Sequence, residues 1–355
     1  MSTDTSSLLS RASRNGGILV ASLVLVQAIT GILMSMYYVP SDAPARTVDG
    51  KPLTITSSLR IDTVGRFVDT INTAGRIALV PARAGELTPS QAAASVNVSL
   101  ENAPLGGFIR SLHQHTATML VVVSLIWAAL LGFSGVYASN ARLWLTSIGI
   151  AVLALALAWT GRVLPDDVYS MISRTIVSNE LQQAPLGGFI TKVLGLFRDG
   201  LSLSRTYIMH ALVMGGGIVA LAWRLRRVTA CCRVTACCDP TSDPVPRASH
   251  RLALTIIPII SSVLICLGSP LHTYPIRDAI RGLSGGEHVF AWWTIMPIHA
   301  WAVWLGAELA GIVGLAVLVK LLTMPLWHDK MSPLYAKTLI AGVSLAMLAA
   351  YMFGN

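Results

Sequence analysis

The sequence is poor in charged residues, which make up only 12% of its 355 positions, whereas hydrophobic residues make up 54% and the mean hydropathy is +0.64. Such a composition excludes an ordinary soluble enzyme and predicts a polytopic membrane protein. Acidic residues are also scarcer than basic ones, 17 against 26. The resulting net charge of +9 does not indicate a nucleic-acid partner, because the arginines lie near helix ends, where membrane proteins carry their topology signals.

Cysteine is scarce as well, and four of the five cysteines lie in a tandem RVTACC repeat at 227–238. Cys-Cys doublets separated by four residues do not match the CxxC spacing of zinc or iron–sulfur ligands. We therefore interpret the repeat as a duplicated linker with reduced thiols rather than as a metal site. The fifth, Cys266, is expected to pack as a small hydrophobic residue.

Long apolar runs predict an all-α integral membrane protein. Seven spans are expected, at about 16–38, 109–135, 142–163, 205–227, 251–268, 304–326 and 333–353. The first run lacks a small-residue cleavage site and is therefore expected to remain as a helix. Basic residues gather on alternate connections, which predicts a cytoplasmic N-terminus and periplasmic connections at 39–108, 164–204 and 269–303.

The predicted organisation is a four-helix bundle followed by three further helices. The boundaries are an N-terminal segment and first helix at 1–40, an insertion at 41–105, the rest of the bundle at 106–228, a linker at 229–250 and a C-terminal part at 251–355. The insertion is too long for a simple connection, and long ordered loops on membrane scaffolds usually carry function. We expect it to form a small helical cap that docks a partner; a spacer without a role of its own is the alternative.

Two of the predicted spans carry a histidine near one end, preceded by an arginine. The second span contains Arg110, His113 and His115, and the fourth contains Arg205 and His210. Ionisable residues inside a membrane are functional candidates by default, and imidazole is a common ligand of haem iron. Two histidines on two helices could hold one haem between them.

Four motifs in order resemble those of cytochrome b from the quinol–cytochrome c and plastoquinol oxidoreductase complexes. NGGILVASLVLVQAITGILMSMYYVP at 15–40 resembles the first helix of that family, GGFIRSLH at 106–113 the start of the second, GRVLP at 161–165 the end of the third, and RTYIMH at 205–210 the fourth. The resemblance implies a haem-binding four-helix bundle, followed by a C-terminal part similar to subunit IV.

The resemblance also implies roles for individual residues. His113 and His210 would be the axial ligands of a haem near the periplasmic face, and Gly31 and Gly161 would admit its ring. Arg110 and Arg205 would pair with its propionates, because a guanidinium binds carboxylates through two parallel hydrogen bonds. Gln27, one turn before Gly31, would face the same haem. His115 points to another face of its helix, and for it we expect a loop or interface contact.

The family's second haem is expected to be missing. Its ligands would lie fourteen residues after the first pair, about 21 Å further along each helix, where this sequence has Trp127 and Arg224. Gly17 remains at that level on the first helix, but Ser147 stands where the third helix would carry glycine. Trp127, with Trp223 as a further candidate, would fill the vacated volume. We therefore predict one non-covalent haem b per chain.

The quinol-oxidation motif of the family is also altered. Where the family has PEWY, this sequence has AWWT at 291–294, so Trp292 replaces the glutamate that accepts a quinol proton. Five titratable residues near this surface are candidate substitutes, none of them favoured: Asp166, Asp167, His288, His299 and Glu308.

Together these features predict a mono-haem electron-transfer subunit of a respiratory or photosynthetic complex in a bacterial inner membrane. Its expected partners are the other subunits of that complex, among them a periplasmic cytochrome c or iron–sulfur subunit, with quinone and lipid as further ligands. Without the family's second haem, a complete Q cycle is not expected. The alternative is a degenerate cytochrome b that anchors redox subunits and turns over no quinone.

Overall fold

The computed structural model describes residues 3–53, 86–167, 202–231, 307–327 and 332–353, together with the short pieces 55–56, 80–81, 170, 256, 260, 263–264, 280–281 and 329. Four long helical segments dominate it. They are α1 (Thr3–Ser35), α3 (Gly106–Phe133), α5 (Ala141–Val163), and a fourth composed of α6 (Ser202–Ile208), a π-helical turn (Met209–Met214) and α7 (Gly215–Cys231). Each contains a stretch long and apolar enough to cross a membrane.

The four segments pack side by side as a bundle. α1 contacts α3 and α7, and α5 contacts α3 and α7. Their inward faces supply a continuous apolar core that includes Val20 and Leu23 of α1, Leu131 of α3, Ile150 of α5 and Ile218 of α7. A bundle closed in this way turns one stripe of each helix toward a shared interior and leaves the other side of each helix to the lipid.

Two further apolar helices, α8 (Ala307–Trp327) and α9 (Pro333–Phe353), pack against this bundle. Ile340 of α9 inserts against Gly132 of α3, where an added Cβ would lie only 2.6 Å from the Ile340 side chain. Between α3 and α5, the chain turns at Gly135, whose φ of +71° favours glycine, and passes through the short α4 (Val136–Ser139). The predicted fifth span, 251–268, lies outside the continuously described residues.

The described part of the insertion is only partly helical, which differs from the cap expected from the sequence. β1 (Ile55–Thr56) pairs antiparallel with β3 (Glu86–Leu87), and β2 (Val80–Pro81) pairs antiparallel with β4 (Ile280–Arg281). Its one helical stretch is α2 (Gln91–Ala94), continued as a π-helical turn over Ser95–Leu100.

The insertion is anchored to the bundle end that carries the histidines. Ser95 Oγ accepts a hydrogen bond from the Val39 backbone N–H, 3.2 Å away, just beyond α1. Tyr38, in the same connection, donates to the Leu164 carbonyl at 2.8 Å and lies against the ring of Tyr207. The connection after α1 therefore ties together the ends of three bundle helices.

Candidate functional site

His113 of α3 is oriented by the neighbouring helix α1. Its Nδ1 lies 2.8 Å from Oγ1 of Thr30, a residue that is 3% exposed. The Thr30 hydroxyl donates its single proton to the Val26 carbonyl, 2.8 Å away. It therefore accepts a hydrogen bond from Nδ1–H of His113, and this tautomer leaves Nε2 of the ring unprotonated.

His210, in the π-helical turn, has the same arrangement with α5. Its Nδ1 lies 2.9 Å from Oγ1 of Thr160, and the Thr160 hydroxyl donates to the Ala156 carbonyl at 2.8 Å. Nε2 of His210 is therefore also the unprotonated nitrogen. The sequence motifs did not indicate a role for Thr30 and Thr160, although each threonine immediately precedes a predicted site glycine.

The two glycines of these pairs make room for the imidazoles themselves. A Cβ added at Gly31 would lie 3.4 Å from Cε1 of His113, and one added at Gly161 would lie 3.0 Å from Cε1 of His210. The second distance is shorter than side chains normally tolerate. The position of the His210 ring therefore requires glycine at residue 161 more strictly than the position of the His113 ring requires glycine at residue 31. At these two positions we predicted space for the edge of a haem. In the structure, this space lies against the imidazole ring of a histidine.

The structure brings the two histidines to one level of the bundle, near enough for their imidazoles to interact electrostatically. Two neutral imidazoles are too few ligands for a bare structural metal ion, which takes four. The described residues contain no group of three or more His, Cys, Asp or Glu side chains that would complete such a site. Haem iron, by contrast, needs only axial ligands from the protein, and two imidazoles with free Nε2 atoms fit that requirement.

Gln27 lies at the same level but contacts α3 directly. Its side-chain amide donates to the His113 backbone carbonyl at 2.6 Å and also contacts the Thr116 hydroxyl. Thr116 in turn donates to the Leu112 carbonyl at 2.6 Å. The structure therefore assigns Gln27 a contact that fixes the α3 backbone at His113, whereas the resemblance implied that it would face the cofactor.

The two arginines differ in their surroundings. The Arg110 side chain is 11% exposed, and its guanidinium lies 3.4 Å from Oδ1 of Asn97 and 3.8 Å from a carboxylate oxygen of Glu101. Both partners belong to the end of the insertion. Arg205 is exposed at the start of the fourth segment. Each arginine lies within five residues of its histidine, toward the same end of the bundle.

The level predicted to have lost its ligands is filled with side chains. Trp127 is 2% exposed and packs directly against α1: a Cβ added at Gly16 would overlap its indole ring, and one added at Gly17 would lie 3.3 Å from it. Ser147 is fully buried and donates to the Trp144 carbonyl at 2.7 Å. Trp223 is 59% exposed, so it does not fill this level.

The π-helical turn changes which residue of the fourth segment reaches that level. An uninterrupted α-helix would return to nearly the same face fourteen residues after His210, at Arg224. Because a π-helical turn contains an extra residue, the inward position moves to Leu225. Leu225 is 2% exposed and its side chain lies 3.8 Å from the position of a Gly17 Cβ, whereas Arg224 is exposed. Neither residue is a haem ligand.

Other predicted positions are placed as follows. His115 is half-buried on another face of α3 than His113, and its Nε2 is buried without a hydrogen-bond partner. Asp166 and Asp167 are both buried, just beyond α5. The AWWT stretch at 291–294 and the two histidines near it, His288 and His299, lie outside the described residues.

Residues 86–225 match a family model described as Cytochrome b/b6/petB. Cytochrome b6 of Heliobacterium mobile is 28% identical over 131 residues, which are 36% of this chain and 62% of the relative. Cytochrome b6 of Euglena gracilis is 30% identical over 131 residues, 36% of this chain and 61% of the relative. The chain therefore spans about 62% of the length of the first of these relatives.

A solved structure described as a hyperthermophilic respiratory Complex III is similar to this chain in fold. The TM-score is 0.54 at 14% sequence identity, with 96% of this chain and 89% of that chain covered. The prediction of an all-α, multi-pass membrane protein is confirmed, while the number of seven helices stays a prediction. Over residues 86–225, the chain is similar to the cytochrome b family.

Proposed function

We propose that this chain binds one haem b between His113 and His210 and acts as a mono-haem electron-transfer subunit of a membrane redox complex. The observation that carries the proposal is the repeated Thr–His pair, since Thr30 and Thr160 each hold an Nδ1–H and leave an Nε2 available to iron. Hydrogen bonds of this kind, made by the ring nitrogen that does not bind the metal, orient metal-ligating histidines and raise their basicity.

When bound, the haem would supply one-electron exchange at its iron. The chain's own residues would hold and orient the ligands. Thr30 and Thr160 fix the plane and tautomer of each imidazole, and Gln27 fixes the α3 backbone at His113. Arg110 and Arg205 supply positive charge at the end of the bundle where the haem propionates would lie.

The packing at the other level supports the proposal of a single haem. Trp127 and Leu225 occupy the space beside Gly17, and neither side chain has an atom that ligates haem iron. An electron on the proposed haem therefore has no second haem through which to cross the bundle. We infer that electrons enter and leave on one side of the membrane, without a complete Q cycle.

That side is proposed to be the periplasm of a bacterium, with the N-terminus in the cytoplasm. The basic connections at the opposite end of the bundle support this orientation. A periplasmic cytochrome c or iron–sulfur subunit is the proposed partner, and the insertion, anchored at the histidine end through Ser95, would lie against it. Quinone is the second proposed exchange partner.

Ligand variants test haem binding. His113→Ala and His210→Ala should each abolish the low-spin haem spectrum of the purified chain, because each removes one axial nitrogen. His115→Ala is the matched control, since it removes an imidazole from the same helix on another face and should leave the spectrum unchanged. A low-spin spectrum that survives either ligand variant would refute the assignment.

Oriented vesicles test the proposed side of exchange. Membrane-impermeant reductants added to the periplasmic face should reduce the haem quickly, and the same reductants at the cytoplasmic face should not. Quinol analogues, with and without a quinone-site inhibitor, then separate quinol oxidation from the anchor alternative. Inhibitor-sensitive haem reduction supports a quinone site, whereas the absence of any response to quinol favours the anchor.

A further inference from the structure

Arg110, one helical turn before His113 on α3, is held by the end of the insertion. Its Nη1 lies 3.4 Å from Oδ1 of Asn97 and 3.8 Å from a carboxylate oxygen of Glu101. The arginine side chain is only 11% exposed, whereas that of Glu101 is 50% exposed. Of the two carboxylates that interact electrostatically with this guanidinium, Glu101 and Asp167, Glu101 interacts more strongly. The insertion therefore supplies the stronger counter-charge of an arginine that lies beside a candidate haem ligand.

The chain packs closely around the Glu101 carboxylate where the insertion joins α3. A Cβ added at Gly107 would lie 2.9 Å from Oε1 of Glu101, so the carboxylate lies directly against the first turn of the helix. A Cβ added at Gly106 would overlap the Leu100 carbonyl oxygen, and this close approach requires glycine. The N-cap residue, Leu105, has no side-chain acceptor to offer the helix. A carboxylate at this end of α3 is favoured by the helix dipole as well as by Arg110.

A negative charge at this position makes reduction of a nearby haem less favourable. An electron added to the haem is repelled by a carboxylate and attracted by a guanidinium, and both effects weaken with distance and with screening by solvent. Glu101 therefore offsets part of the effect of Arg110. Both contacts of Arg110 use Nη1, and a guanidinium has five N–H donors on three nitrogens. The arginine can therefore bind Glu101 and a haem propionate at the same time.

We propose that Glu101 is a positioning residue that holds Arg110 at the haem end of the bundle and lowers the midpoint potential of the haem. Its carboxylate acts through its own charge and through Arg110, and it takes no part in the electron exchange itself. The insertion thereby influences the redox properties of the bundle in addition to any contact that it makes with a partner. This inference rests on the proposed function, because it requires a haem at His113 and His210.

The first measurement is a potentiometric titration of the haem in the full purified chain. Glu101→Gln keeps the shape of the side chain and removes its charge, so the equilibrium constant for haem reduction should rise by about three- to tenfold. At 59 mV per tenfold for one electron, this raises the midpoint potential by about 28–59 mV. Glu101→Asp retains the charge and should stay near the wild-type value. Asp49→Asn removes a carboxylate from an exposed turn of the same insertion and is the matched control, which should also stay near the wild-type value.

The second measurement does not require haem. Amide hydrogen exchange of the full chain reports on residues 95–102 of the insertion, where the Asn102 N–H donates to the Val98 carbonyl at 3.1 Å. Glu101→Gln removes the ion pair with Arg110, so exchange in this segment should become about two- to fivefold faster. Asp49→Asn should leave exchange at 95–102 unchanged.

Three results would overturn the inference while leaving haem binding standing. The first is a midpoint potential that does not rise in Glu101→Gln. The second is an equal rise in Glu101→Asp or in Asp49→Asn, since the effect would then not depend on the charge at residue 101. The third is unchanged hydrogen exchange at 95–102 in Glu101→Gln. Absence of haem from the purified wild type contradicts the proposed function and overturns the inference with it.

Discussion

The indole N–H of Trp144 on α5 donates a hydrogen bond to the backbone carbonyl of Leu321 on α8, 2.9 Å away. Within α8 that carbonyl would normally pair with the N–H of residue 325, which is a proline and has none. Trp144 is 1% exposed and Leu321 is 8% exposed. A side chain of the bundle therefore satisfies a carbonyl that the C-terminal part cannot pair in the usual way.

Trp144→Phe should destabilise the chain by about 1–3 kcal/mol, because it leaves a buried carbonyl without a partner. Thermal unfolding in a fixed detergent measures the change. Adding Pro325→Ala restores an N–H at residue 325, so the double variant should be more stable than Trp144→Phe alone. No recovery in the double variant would show that the missing hydrogen bond is not the cause.

Thr30→Ala and Thr160→Ala should each weaken haem binding by about 10- to 100-fold, the usual effect of removing the hydrogen-bond partner of a metal-ligating histidine. The measurement is haem transfer from the purified chain to an excess of apomyoglobin. Thr323→Ala is the matched control, because Thr323 makes the same bond to the carbonyl four residues earlier but lies on α8. Equal haem loss in all three variants would contradict the orienting role.

Much of this site could be predicted from the sequence, but not the contacts that orient it. Histidines inside apolar helices are conspicuous, so the sequence alone is enough to predict His113 and His210 as candidate haem ligands. It is not enough for Thr30 and Thr160, because a threonine in a membrane helix normally bonds only to its own backbone. Leu225 rather than Arg224 takes the inward position because of a π-helical turn. A run of apolar residues carries no sequence signal that predicts such a turn.

Gly161→Ala should disturb the site more than Gly31→Ala. The added methyl group would lie 3.0 Å from Cε1 of His210 in the first variant and 3.4 Å from Cε1 of His113 in the second. We expect a changed low-spin spectrum and faster haem loss for Gly161→Ala, with a smaller effect for Gly31→Ala. Gly216→Ala, beside which there is open space on α7, should behave like the wild type. The reverse order of effects would contradict the described packing.

The stability of the chain should rise as the pH is lowered through the pKa of Asp167. Burial raises the pKa of this carboxyl, so the folded chain binds the proton more tightly than the unfolded chain, whose carboxyl has a pKa of about 3.9. The free energy of unfolding is therefore lower above the folded-state pKa and increases as pH falls toward the unfolded-state value. Asp167→Asn should flatten this part of the profile, as measured by thermal unfolding at a series of pH values. A profile identical to that of the wild type would show that Asp167 does not titrate between the two states.

Trp127→Ala should cost about 3–5 kcal/mol of stability, because it empties a buried volume beside Gly16 and Gly17. The haem content should not change, because the variant restores space without restoring a ligand. Unfolding in detergent and haem content measured on the same preparation check both parts. Uptake of a second haem by this variant would mean that Trp127 alone blocks a site that still has its ligands.

The haem content of the wild-type chain tests the central proposal most directly. A pyridine haemochrome assay on protein quantified by amino-acid analysis should give one non-covalently bound haem b per chain, as expected if His113 and His210 ligate one haem and Trp127 and Leu225 fill the other level. Two haems per chain, or none, would contradict it.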